Sequence, residues 1–171
     1  MRTFQNWMNA HQNILALFVV CSVVLIVHTL SKWRQKLSFG GLIVYTLFVL
    51  YKTVFSRKRG FYSVNLDLGW SYKAMLNGVP GMFSQIYLNI MFFIPVGIFI
   101  EGFLLKKYKG RYILSIVYGV MLTVIVECLQ LLFHRGTFEL DDILNNTIGT
   151  IIGILITLKI NMCRGKNNGR S

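Results

Sequence analysis

Acidic residues are scarce in this chain: six Asp and Glu stand against 18 Lys and Arg. Proline is nearly missing, at 2 in 171 residues, and there are only 3 cysteines and 3 histidines. Each scarcity excludes something. With two prolines, long stretches can run as unbroken helix. Cys21, Cys128 and Cys163 form no even, closely spaced framework, so disulfides are not expected. No Cys/His cluster has zinc spacing, and neither a metal nor a cofactor is expected. Polar surface is short too. With 54% hydrophobic residues and a mean hydropathy of +0.56, too little remains to cover a soluble core.

What is there is apolar and arranged in blocks. A helix crossing ~30 Å of hydrocarbon needs roughly 20 residues. Five blocks qualify, from about Asn13 to Leu30, Leu37 to Phe55, Ser84 to Leu105, Tyr112 to Phe133 and Ile143 to Ile160. The expected fold is all-α: one polytopic membrane domain of about five transmembrane helices in a single bundle. Residues 1–12 form an N-terminal segment, 13–160 the transmembrane domain, and 161–171 a basic tail expected to be disordered. The first block follows a barely basic stretch, and no small-x-small site precedes Lys32, so it reads as a retained span and not a cleaved signal.

The net charge of +12 is topological in this reading, because the basic residues border apolar blocks. A nucleic-acid partner would want them on a soluble surface among aromatics, so none is expected. The loops after the first and third spans and the C-terminal end carry eleven Lys and Arg, against seven on the opposite side. The positive-inside rule then puts the N-terminus outside and the C-terminus in the cytoplasm. The run "SRKRG" at Ser56–Gly60 pulls the other way. It opens an outer segment, Ser56 to Phe83, that is too polar to span, and whose Phe61, Tyr62, Trp70 and Tyr72 suit the headgroup zone.

Four of the six carboxylates fall between Val126 and Gly153, in "VECLQLLFHRGTFELDDILNNTIGTIIG". Glu127, Gln130 and His134 lie three and four residues apart, so they share a helix face with Thr123 one turn earlier. A carboxylate inside a span is costly and usually faces a cavity or a partner. Arg135, Glu139, Asp141 and Asp142 follow, then Asn145 and Asn146. Aspartates here can cap a helix N-terminus, or join the asparagines in a polar site. Gly149 and Gly153 form a GxxxG pair, which lets helices approach closely. In the third span Asn89, Phe93, Gly97 and Glu101 recur every four residues, and Pro95 frees a carbonyl near mid-span. That face can be a kinked packing surface, or can carry Asn89 to the acidic cluster.

"NIMFFIPVG" together with "ECLQLLFHRGTFELDDILNNTIGTIIG" resembles the VanZ-like family of bacterial membrane proteins. The family pattern falls on Asn89, Phe93, Pro95 and Gly97, on Glu127 and Gln130, then on Arg135, Asp141, Asp142, Asn146, Thr147, Gly149 and Gly153. Glu139 stands where Asp is commoner. Asn65 and Leu66 match a further element only in part, since "NLDLGW" replaces the usual N-L-x-P-[FY]. The resemblance is strongest over 57–156. It implies a multi-pass protein of the bacterial cell membrane, in a family whose founding member raises teicoplanin resistance.

With that resemblance, the polar residues read as an outward-facing pocket. Asn89, Glu127, Gln130, Arg135, Asp141, Asp142 and Asn146 are its candidate ligand-binding residues; Pro95, Gly97, Gly149 and Gly153 are structural. The expected partners are membrane lipids, a lipid-linked cell-wall precursor or a lipoglycopeptide, with a homodimer as a further option. Two rival readings stand beside this non-enzymatic one. In an intramembrane enzyme acting on a lipid headgroup, Glu127 and Asp142 would serve as acid and base, or carboxylates would hold a divalent ion. The other rival is a small transporter, which five spans without a repeat make less natural for a monomer. No nucleophile–base signature favours catalysis.

Overall fold

The computed structural model describes residues 34–60, 62–104 and 110–168. The expected first span, Asn13–Leu30, and Lys106, Lys107 and Lys109 lie outside the described residues. Helix α1, Arg34–Leu50, continues directly into a π-helical turn, Tyr51–Phe55. A two-residue strand β1, Val64–Asn65, and a short helix α2, Trp70–Leu76, follow. Helix α3 is Met82–Phe103 and α4 is Arg111–Leu132. Strand β2, Phe138–Glu139, leads directly into α5, Leu140–Asn168. Four of these segments are long and apolar enough to cross a membrane: Arg34–Phe55, Met82–Phe103, Arg111–Leu132 and Leu140–Cys163. They coincide with the second to fifth expected blocks.

Departures from the sequence reading sit at the ends. Helix α5 starts three residues before Ile143, because Asp141 and Asp142 occupy its first turn, where free N–H groups favour carboxylates. It also runs on to Asn168, into the tail expected to be disordered. Its last turns within the span are tied to α1, where Arg34 donates to Asn161 Oδ1 at 2.6 Å. At the end of α1, the hydroxyls of Thr53 and Ser56 donate to the carbonyls of Val49 and Lys52, each at 2.7 Å and four residues back. Such back-bonding competes with regular helix, and the π turn falls there.

Lipid is as apolar as leucine, so apolar burial alone does not hold these helices together. The interior reflects this. Among the described residues, fifteen polar or charged side chains are buried against thirteen apolar ones. Close packing supplies the rest. The largest helix–helix contact is α3 against α5. There, a Cβ added at Gly149 would strike the carbonyl of Ile90, one at Gly153 the carbonyl of Ile94, and one at Gly97 the carbonyl of Thr150. The two backbones touch, and only hydrogen fits between them. Pro95 is buried in α3. The Tyr45 hydroxyl donates to the carbonyl of Phe92 at 3.0 Å, next to the Met91 carbonyl that Pro95 cannot serve.

At the end of the bundle where α3 stops and α4 starts, Arg111 Nε lies 2.7 Å from Glu101 Oε1, and Ser115 donates to Glu101 Oε2 at 3.3 Å. Glu101, four residues past Gly97 on the same face, is neutralised by the start of the next helix.

Candidate functional site

The other end of the bundle carries the acidic stretch. Helix α4 stops in a Schellman closure: the N–H groups of His134 and Arg135 donate to the carbonyls of Leu131 and Gln130, at 3.1 and 2.8 Å. His134 takes the left-handed position, φ 55°, where glycine is usual. His134 therefore leaves the helical face it was expected to share with Glu127 and Gln130. Its ring meets Tyr62 edge-on, centroids 4.1 Å apart.

The next residues tie the segment between the first and second of these long helices to α5. Parallel pairing sets Val64 against Phe138 and Asn65 against Glu139. Asp141, fully buried, accepts from the backbone N–H of Gly69 and Ser71, at 2.6 and 2.8 Å, and from the Ser71 hydroxyl at 2.6 Å. Gly69 stands at the N-cap of α2 and has no side chain to cap it. A carboxylate from another helix performs that task. Tyr72 donates to Asn145 beside it.

Asp142, the next residue, turns elsewhere. Its Oδ1 accepts from Asn89 Nδ2 at 2.6 Å and, at a longer 3.5 Å, from Gln85 Nε2. Glu127 Oε2 accepts from the backbone N–H of Glu139 at 3.2 Å. Asn146 Nδ2 donates to Thr123 at 2.7 Å, while its Oδ1 is buried with no partner among the described residues. These side chains surround one cavity of about 240 Å³, whose lining includes Asn89, Glu127, Gln130, Asp142 and Asn146 with Lys52 and Arg57. Residues from the π turn and the residues just after it, and from α3, α4 and α5, therefore meet at one level, although 94 positions separate Lys52 from Asn146.

Two expected pocket residues are not among that lining. Asp141 caps α2, as above. Arg135 points to the π turn that follows α1, where its Nη1 donates to the carbonyls of Val54 (3.4 Å), Arg57 (2.6 Å) and Phe55. A helix end leaves carbonyls without helical partners, and a guanidinium is well suited to serve several of them. The cations at the cavity are instead Lys52 and Arg57, both exposed. Arg57 donates to Gln130 Oε1 at 3.2 Å. Sequence reasoning assigned Arg57 to orientation only; the clue was that "SRKRG" carries its charge on the unfavoured side.

Glu139, outside the spans, has its pKa pushed up to about 7, first by burial and then by the Asp142 charge nearby. Gln85 donates to Glu139 Oε2 at 3.2 Å and limits that rise. Among the described residues, no three His, Cys, Asp or Glu side chains stand together as a metal-binding group. The cavity thus has a buried floor of carboxyls and amides, an exposed basic rim and flanking apolar helix surface.

No curated protein and no solved structure matches the chain. A family model described as VanZ/LLP1 matches residues 14–161, a stretch that includes the whole cavity lining. The chain belongs to the VanZ/LLP1 family.

Proposed function

We propose that this membrane protein acts in the bacterial cell envelope by binding the polar headgroup of an amphiphile in the cavity between the π turn, α3, α4 and α5. The carrying observation is that polar side chains from separate spans converge on one cavity with an exposed cationic rim. Size favours a headgroup over a whole lipid. At about 240 Å³, the space is smaller than the roughly 300–1,000 Å³ of a site that engulfs a drug-sized ligand. The acyl chains would lie along the spans, beside exposed residues such as Phe83 and Leu132. With the N-terminus outside, the cavity opens outward, where envelope lipids, lipid-linked cell-wall precursors and lipoglycopeptides are found. Capture of the lipidated drug, or of the lipid beside its target, would lower susceptibility to teicoplanin.

The test is a deletion strain challenged with teicoplanin and vancomycin side by side. A change for the lipidated drug alone, restored by the wild-type gene but not by Asp142→Ala or Asn146→Ala, is the expected result. Equal responses to both drugs would sink the lipid-based reading. Two carboxyls, those of Glu127 and Asp142, facing one cavity favour a second reading, acid–base chemistry on a bound headgroup. Turnover of a radiolabelled headgroup by the purified protein would select it.

A further inference from the structure

The hydrogen-bond inventory of the cavity sorts by sign and depth. Of the four amides that line it, three have their nitrogens engaged: Asn89 Nδ2 with Asp142, Gln85 Nε2 with Glu139 and Asp142, and Asn146 Nδ2 with Thr123. Acceptors remain. Both amides that reach Asp142 bond the same oxygen, Oδ1. Asn146 is only 4% exposed, and its Oδ1 accepts nothing among the described residues. A buried acceptor left unpaired is costly, so the floor calls for a donor. Asp142 adds a carboxylate held by two amides in the first turn of α5, where the helix dipole favours an anion. A floor of this kind suits a cation with several N–H donors. The rim has the opposite character, because Lys52 and Arg57 are exposed cations. A bare cation would gain nothing from that rim, and a simple anion would be repelled by the floor.

Building on the proposed headgroup-binding role, we propose that the ligand carries both charges: a primary ammonium that enters the floor at Asp142 and Asn146, and a phosphate held at the rim by Lys52 and Arg57. The ammonium offers three N–H donors, to Asp142, to Asn146 Oδ1 and to the neighbouring Glu127 carboxyl. A quaternary ammonium carries the same charge but no N–H, and a glycerol headgroup lacks the charge. The site separates the three by donor count and charge together.

Three lipids with identical acyl chains test this on the full-length protein in detergent: phosphatidylethanolamine, phosphatidylcholine and phosphatidylglycerol. Affinity is read by native mass spectrometry and by ligand-induced thermal stabilisation. Phosphatidylethanolamine should bind about tenfold or more tightly than the other two, the value of a charge-assisted hydrogen bond. Asp142→Asn, which keeps shape and removes charge, should abolish the preference. Lys52→Gln with Arg57→Gln should weaken phosphatidylethanolamine and phosphatidylglycerol alike.

Equal binding of all three lipids, lost in the cavity variants, would overturn the ammonium assignment and leave the headgroup-binding role standing. Lipid binding that no cavity variant changes would overturn both. Soluble phosphoethanolamine is the last arm. If it binds as tightly as the lipid, the headgroup chemistry stands and the membrane source is overturned. Circular dichroism of each variant separates loss of binding from loss of fold.

Discussion

Asp141 and Asp142 are adjacent and chemically identical, yet they do different work. Successive helix residues point roughly 100° apart, so one carboxylate meets the backbone of α2 and the other meets Asn89. Asp141→Ala would leave the N–H groups of Gly69 and Ser71 unserved and cost about 2 kcal/mol, as for hydrogen bonds to a charged group. The readouts are a lower unfolding midpoint and faster proteolysis between Arg57 and Phe83. If Asp141→Ala behaved as wild type in both, the capping role would be wrong. Glu139 supplies a pH signature. Its folded pKa, about 7, lies above its ordinary 4.5. The folded state therefore holds a proton that the unfolded chain gives up first. This contribution is complete below pH about 4.5 and disappears as pH rises through about 7. The unfolding midpoint of the wild type should fall across that window relative to Glu139→Gln. Parallel curves for the two proteins would count against the raised pKa.

Helices α3 and α5 are joined by absence of side chain more than by its presence. Gly153→Leu would push a side chain into the carbonyl of Ile94 and the backbone of Ile98. Carbonyls of a helix cannot rotate aside, so the helices must separate. A loss of at least about 3 kcal/mol follows, at the upper end of overpacking costs. It should appear as a low folded yield in detergent, while unchanged thermal stability would place this face against lipid. The spans were legible at this scale because hydrocarbon thickness fixes their length. Their ends were less so. Starts and stops depend on features such as the two carboxylates in the first turn of α5 and His134 past α4, which hydropathy does not register. The short α2 and the β1–β2 pair were not foreseen, because they form only against Asp141 and residues 138–139.

For the molecule as a whole, the distribution of Lys and Arg predicts orientation, eleven against seven. A reporter fused after Arg170 should be active in the cytoplasm, and one inserted within Arg57–Phe83 should report the outside. The reverse pattern would move the cavity to the cytoplasmic face. Arg57, at the cavity, is one reason the margin is modest: with Lys52 it puts charge on the side that the rule disfavours.

By itself the sequence determined that this is a helical membrane protein of a recognisable family, and which polar residues had to be shielded from lipid. Those facts are local: apolar run length, spacing along a helix, and the cost of a carboxylate or amide in hydrocarbon. Tertiary structure decided how the polar residues are partnered. Asn89, Glu127, Gln130, Asp142 and Asn146 share a cavity, while Arg135 serves the π turn that follows α1 and Asp141 the start of α2. Arg57 and Lys52 supply the cations instead. Those assignments depend on helix rotation and on which chain ends meet. Contacts such as Gly153 on Ile94 fix them, and these join residues 59 positions apart.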